Sequence, residues 1–137
     1  MNVEVSKVDE LNDRILELIS EQKCCAQIVM AMGLETVGKT DAELVRAMRA
    51  PCYGFHGNHL CGSLVAGSCF LSLYHEQYSI ILIPELFYWF KEKYGSLNCL
   101  DIIGTETGDL SKCIVLMTEV YYRCFALLNQ YGIEPEE

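Results

Sequence analysis

The sequence predicts an all-α, single-domain bundle of about five or six helices with short loops. Three observations carry this reading. Apolar residues recur at intervals of three and four. Strand-like alternation is scarce, and no repeat or low-complexity tract interrupts the chain. Start and stop signals fall where helices of ordinary length would begin and end. A chain of 137 residues suits one compact domain and can bury a core without disulfides.

The first helix is read from about residue 8 to 32, on the stripe Leu11, Ile15, Leu18, Cys25, Val29 and Met32. Gly33 would close it as a left-handed cap. "TDAE" at residues 40–43 is a capping box that opens a short helix ending near Ala50, because Pro51 follows. The Gly-rich "PCYGFHGN" reads as a loop. Asn58 is the expected cap of a helix running to about Tyr78. That helix sets small residues four apart, Gly62 with Ala66 and Ser63 with Gly67. Two helical glycines cost roughly 1 kcal/mol each relative to alanine. Their backbone is therefore expected to lie close to another helix or to a ligand. Close helix packing is the expectation for Gly67, and Gly62 and Ser63 are the candidate cofactor contacts.

Residues 80–83 form a β-branched apolar run and are read as extended. Pro84 then suits the first turn of a helix ending at Gly95. "NCLDIIG" is a helical turn capped by Asn98, followed by a loop holding Gly104 and Gly108. The last helix starts near Asp109 or Ser111 and stops at Gly132. Its expected buried stripe is Cys113, Met117, Val120, Cys124, Leu127 and Tyr131.

Charge narrows the partners. The formal net charge is −9, which argues against nucleic acid and anionic membranes and keeps a protein soluble. The N-terminal "MNVEVSKVDE" carries no basic start, apolar core or cleavage site, so no export signal is read. The longest uncharged stretch, residues 60–74, is too short and too rich in Gly and Ser to span a bilayer. A soluble cytoplasmic protein is expected. The cluster "ELFYWF", with Phe87, Tyr88 and Trp89, exceeds what one helix face can bury. It points either to a helix central to the core or to a homo-oligomer contact.

Eight cysteines in 137 residues are several times the ordinary cytosolic share. In a reducing compartment they point to metal, an iron–sulfur cluster or thiol redox chemistry, or to small core residues. Three fall in the opening turns of predicted helices: Cys61, Cys99 and Cys113. Helix-start amides and the dipole favour a thiolate there, the form that attacks disulfides and binds soft metals. Cys25 lies well inside the first predicted helix, on its apolar face. Cys124 is eleven residues beyond Cys113, about 16 Å along a helix, and is read as core. Cys24 and Cys69 are rotated away from their neighbours and are read as packing residues. No pair has the C-x-x-C spacing, and C-x-x-C-H is absent.

One local run, Cys52, His56, His59 and Cys61, has zinc-compatible ligand types, although solvated loop histidines explain it as well. His75, beside Glu76 near a helix end, fits dipole chemistry rather than ligation.

The motifs resemble those of the C_GCAxxG_C_C family of redox-active proteins, over nearly the whole chain. "CCAQIV" is similar to the family's early Asn-Cys-Ala-Gln segment and aligns its first cysteine with Cys25. "LCGSLVAG" resembles the central Cys-Gly-Ala-x-x-Gly motif and aligns the second with Cys61. "KYGSLNCLDIIG", the closest match, gives Cys99, and "SKC" gives Cys113. Cys24, Cys52, Cys69 and Cys124 fall outside the pattern. The sequence departs from the family at Ser63, where alanine is usual. It departs again at Ala66, where glycine is usual, with Gly67 one place later. The loop before the central motif carries Cys52, His56 and His59 in place of further glycine. The resemblance implies redox activity without naming a reaction. A related domain in split-Soret cytochromes is linked with an iron–sulfur centre.

Three functions follow as expectations. In the first, two or more of Cys25, Cys61, Cys99 and Cys113 cycle between thiol and disulfide with a redox partner protein. Cys61, with a glycine beside it, is then the expected low-pKa attacker. In the second, the same four hold an iron–sulfur cluster or zinc, because converging thiolates repel without metal or protons. In the third, the chain is a non-catalytic helical interaction module with buried cysteines.

Overall fold

The computed structural model describes residues 5–104 and 111–135. Its helices are α1 (Val8–Ser20), α2 (Cys25–Thr36), α3 (Ala42–Ala47), α4 (Gly62–Tyr74), α5 (Ser79–Tyr94), α6 (Cys99–Ile103) and α7 (Ser111–Gln130). One wide turn, Gly54–Asn58, precedes α4. There is no strand among the described residues, so the all-α bundle holds. Gly108 and Asp109 lie outside the described residues. No described helix is long and apolar enough to cross a membrane.

The centre of the bundle is the α2–α4 pair. Helix α2 packs most extensively on α4, and also on α1, α3 and α7. Its residues from Ala26 to Leu34 are all buried, on every side of the helix, as expected of a helix surrounded by others. Helix α1 instead buries one stripe, Leu11, Ile15 and Leu18. Phe70, Phe125 and Tyr121 stack edgewise where α4 meets α7, with centroids 5.4 and 5.0 Å apart. Tyr121 also receives a hydrogen bond from the Ser6 N–H at 3.1 Å and shares one with Thr36 Oγ1 at 2.7 Å.

The expected helix 8–32 is two helices. The chain turns at Gln22, whose φ is +66°. The Lys23 N–H donates to the Leu18 carbonyl at 3.0 Å, the six-to-one closure of a left-handed helix end. A glutamine there gives no glycine signal, so the apolar stripe runs across the break unmarked. Cys24 becomes the N-cap of α2, and its N–H donates to Gln27 Oε1 at 3.2 Å. Gly33 does not cap this helix. It lies inside α2, where an added Cβ would meet the Phe70 ring at 2.7 Å. The cap is Gly38 (φ +74°), with the Lys39 N–H on the Leu34 carbonyl at 2.8 Å.

Other boundaries move for equally local reasons. Asp41, not Thr40, caps α3, accepting from the Leu44 N–H at 3.0 Å. That helix ends at Ala47, three residues short of the expected stop. Helix α4 ends at Tyr74, because His75 is extended. Residues 80–83 are helical, not extended. Helix α5 starts at Ser79, so Pro84 sits one turn deeper than its expected first-turn place. Gly95 and Gly132 close α5 and the end of α7 with positive φ, as expected. Tyr131 is about half exposed rather than buried, and Cys113 is half buried. In the aromatic cluster Phe90 is buried, Phe87 and Trp89 are half buried, and Tyr88 is 71% exposed.

Gly67 behaves as expected of a helix contact: an added Cβ would lie 2.7 Å from Val120 Cγ1 and 3.1 Å from Cys124 Sγ. Cys124 is core, with its thiol directed at the Gly67 carbonyl at 3.7 Å. Gly67→Ala should therefore destabilise the protein. Overpacking costs about 1–3 kcal/mol, against about 1 kcal/mol gained in helix propensity. Urea unfolding should show the net loss, and Val120→Ala added to it should give a smaller loss than the two single changes predict together.

Candidate functional site

The site is built from helix beginnings. Cys25 is the first residue of α2, not an interior one. Cys61 is the N-cap of α4, in place of the expected Asn58. Cys99 opens α6 and Cys113 is the third residue of α7. All four line one cavity of about 290 Å³, with Ser63, Tyr53, Leu116 and Met117 among its other walls. Its charged lining residues are Lys23 and Arg49, with no carboxylate among the described residues, although the chain carries 19 acidic residues.

Two backbone hydrogen bonds set Cys61 beside Cys99. The Cys61 N–H donates to the Leu97 carbonyl at 2.9 Å, and the Cys99 N–H donates to the His59 carbonyl at 2.7 Å. Leu60 and Asn98 pair between them as a one-residue antiparallel bridge. This clasp joins the loop before α4 to the loop before α6. Gly54, at φ +62°, fits against it: an added Cβ would lie 2.5 Å from the His59 nitrogen and 3.0 Å from Cys99 Cβ.

Gly62 brings Cys25 to the same place. An added Cβ there would meet Cys25 Sγ at 2.9 Å and the Pro51 carbonyl at 2.7 Å. The Cys25 sulfur thus rests against the residue that follows Cys61. Ser63 is buried, and its hydroxyl hydrogen-bonds Cys25. Gly62 and Ser63, the expected cofactor contacts, serve the thiols themselves.

The thiol electrostatics correct one expectation. Burial pushes Cys61 up to about 12, although the N–H groups of Leu64 and Ser63 favour its thiolate. Nearby Cys25 and Cys99 push it up further. Burial likewise raises Cys25, against hydrogen bonds from the backbone of Tyr53 and Ala26 and from the Ser63 hydroxyl. Cys99 is raised by burial and then by Cys25. Helix-start amides therefore aim at the sulfurs without outweighing desolvation. Cys61 is not a low-pKa attacker, and at 3% exposure it is less accessible than half-buried Cys25.

Cys24 and Cys52 form a disulfide across 28 residues. Cys24 is thus not a packing residue, and Cys52 is not available to the local cluster. His56 Nε2 hydrogen-bonds the Arg49 carbonyl at 3.0 Å. No group of three or more His, Cys, Asp or Glu among the described residues is placed to hold a metal ion. Cys69 is half buried on α4 and does not line the cavity. The bridge, Tyr53 and the Lys23–Arg49 pair were not singled out by spacing. No local signal could have found them: Glu21, Gln22 and Lys23 are good helix formers, so the break that puts Cys24 at a cap is unmarked in the sequence.

The helices and the cavity define a class: an all-helical protein that presents cysteines from four helix starts to one enclosed space. A family model described as "Putative redox-active protein (C_GCAxxG_C_C)" matches residues 23–127, and the chain belongs to that family. No curated protein and no solved structure matches it.

The raised thiols give a pH signature. In the alkaline range the unfolded thiols lose protons first, so the native state binds more protons and stability falls as pH rises. The reduced protein should lose stability from about pH 9 towards pH 12, by at most about 1.4 kcal/mol per unit for each thiol still protonated only in the fold. Urea unfolding across this range should show that slope, and Cys61→Ala should make it shallower.

Proposed function

We propose that the protein is a thiol–disulfide redox protein whose working couple is Cys25 with Cys61, with Cys99 and Cys113 as further cavity thiols. The observation that carries this reading is the seating of the Cys25 sulfur at Gly62, the neighbour of Cys61, at the wall of a cavity shared by all four cysteines.

Both thiols are held protonated at neutral pH. A partner disulfide or oxidant entering the cavity meets Cys25, the more exposed of the two. The Cys25 thiolate, formed on loss of its proton, attacks one sulfur of a disulfide substrate and expels the other as a thiolate. Cys61 then attacks Cys25 Sγ and releases the second substrate thiol. Two electrons pass from Cys25 and Cys61 to the substrate, and two protons follow. The amides aimed at Cys61 and Cys25 stabilise the transient thiolates. Lys23 and Arg49 favour an anionic substrate over a cationic one. Redox partner proteins, a cytoplasmic setting and self-association through the exposed α5 residues Ile80 and Tyr88 belong to the same proposal.

Mild oxidation with diamide, alkylation and peptide mapping should recover a Cys25–Cys61 disulfide. It should be absent from Cys25→Ser and Cys61→Ser. Protein purified anaerobically should be colourless and free of stoichiometric iron or zinc. One equivalent of either metal, released together with loss of these cysteines, would replace the thiol reading with a metal-centre reading.

A further inference from the structure

The Cys24–Cys52 disulfide lies directly beside this couple. We propose that it is an internal exchange partner of the cavity thiols, reached through Cys25; the inference rests on reading the cavity as a thiol redox site.

Access comes first. Cys24 is 5% exposed and Cys52 is 0% exposed, so a thiol in solution has no open route to the Cys52 sulfur. Cys25 is half buried and lines the cavity beside Cys24. It also shares a close neighbour, Gly62, with the other arm of the bridge. A Cβ at position 62 would sit 2.9 Å from Cys25 Sγ and 3.3 Å from Cys52 Cα. One glycine therefore packs against both the third sulfur and the backbone of the bridge.

Direction comes next. Attack by Cys25 on Cys24 would join adjacent residues, whose Cα atoms are about 3.8 Å apart across a trans peptide. That is shorter than the usual disulfide span of about 4.4–6.8 Å. Attack on Cys52 Sγ has no such obstacle. It forms the Cys25–Cys52 bond, breaks Cys24–Cys52, and leaves the electron pair on Cys24. Cys24 is the N-cap of α2, and the Gln27 backbone N–H faces its side chain, while Gln27 Oε1, 3.4 Å from the sulfur, can accept the thiol proton once it forms. A helix N-terminus stabilises the leaving thiolate.

The cycle then closes within the chain. The Cys61 thiolate attacks Cys25 Sγ, forms Cys25–Cys61 and releases Cys52 as a thiolate. The Cys24–Cys52 bridge is reduced by two electrons, and the Cys25 and Cys61 thiols are oxidised by two. Their two protons end on Cys24 and Cys52, so no outside oxidant is needed. The buried bridge stores an oxidising equivalent that Cys25 transmits to or from the cavity.

The test uses the whole chain, isolated with the bridge formed. Dithiothreitol is added, samples are quenched by alkylation, and the bridge is followed by peptide mass mapping. Cys25→Ser should open it at least tenfold more slowly than the unmodified protein, because the relay sulfur is gone. Opening at the unmodified rate would overturn the inference. Cys24→Ser combined with Cys61→Ser removes both the leaving group and the resolving thiol without touching Cys25, and mild oxidation of this double variant should trap a Cys25–Cys52 disulfide. Failure to detect that species, in a variant whose circular dichroism matches the unmodified protein, would also overturn it. Formation of Cys25–Cys61 by Cys52→Ser under diamide reports separately on the cavity couple, so the inference can fail while the redox reading stands.

Discussion

The cavity depends on a short backbone clasp, the pair of hydrogen bonds from Cys61 to Leu97 and from Cys99 to His59. Amides at helix starts ordinarily lack partners within the helix. Here two of them are used to fasten one helix start to another. The clasp places two cysteines from distant parts of the chain side by side without asking their side chains to contribute. The sulfurs are left available for chemistry, and Gly54 and Gly62 supply the clearance that any side chain would fill.

Burial and hydrogen bonding oppose one another at these sulfurs, and burial prevails. A cysteine at an open helix start would be a ready thiolate. The same cysteine enclosed by Leu116, Met117 and Ile28 keeps its proton, because desolvation of the charge outweighs the amides directed at it. The resting site is therefore a reservoir of neutral thiols with anion-stabilising groups already in place. On the proposed redox reading, reactivity is confined to the moment at which a proton leaves, at the more exposed Cys25 rather than at the buried Cys61. The loop over this region adds a constraint of its own. Tyr53, Phe55 and His56 all have φ near +60°, a conformation that costs about 1–2 kcal/mol per non-glycine residue. It begins at the residue after Cys52, so the bridge anchors one end of a strained turn whose first amide reaches Cys25.

Much of the helical frame was legible from side chains alone. Gly and Asn marked the turns at Gly95, Asn98 and Gly132, and Cys99 fell at a helix start directly after its expected cap; Cys61 and Cys113 also lie at helix starts, but Cys61 is itself the cap that Asn58 was expected to be. The misses have physical causes. The break at Gln22 uses a left-handed glutamine, so neither glycine nor proline announces it, and Cys25 was read as interior when it begins a helix. Gly33 resembled a cap because glycine also serves close packing, here against Phe70. The clasp is made of backbone groups that every sequence possesses, so no residue type records it. The Cys24–Cys52 bridge joins two positions that only the folded arrangement of α2 and the segment after α3 makes neighbours. A thiol's burial is set by the same long-range packing, which is why the sign of the Cys61 shift was not readable from its cap position.

The clasp can be read most directly by residue-resolved amide hydrogen exchange of the reduced protein. The account expects the Cys61 and Cys99 amides to exchange as slowly as amides in the middle of α4, despite their positions at helix starts. Exchange at the rate of unbonded first-turn amides would contradict it, because the two loops would then not be joined and the cavity would have no fixed wall.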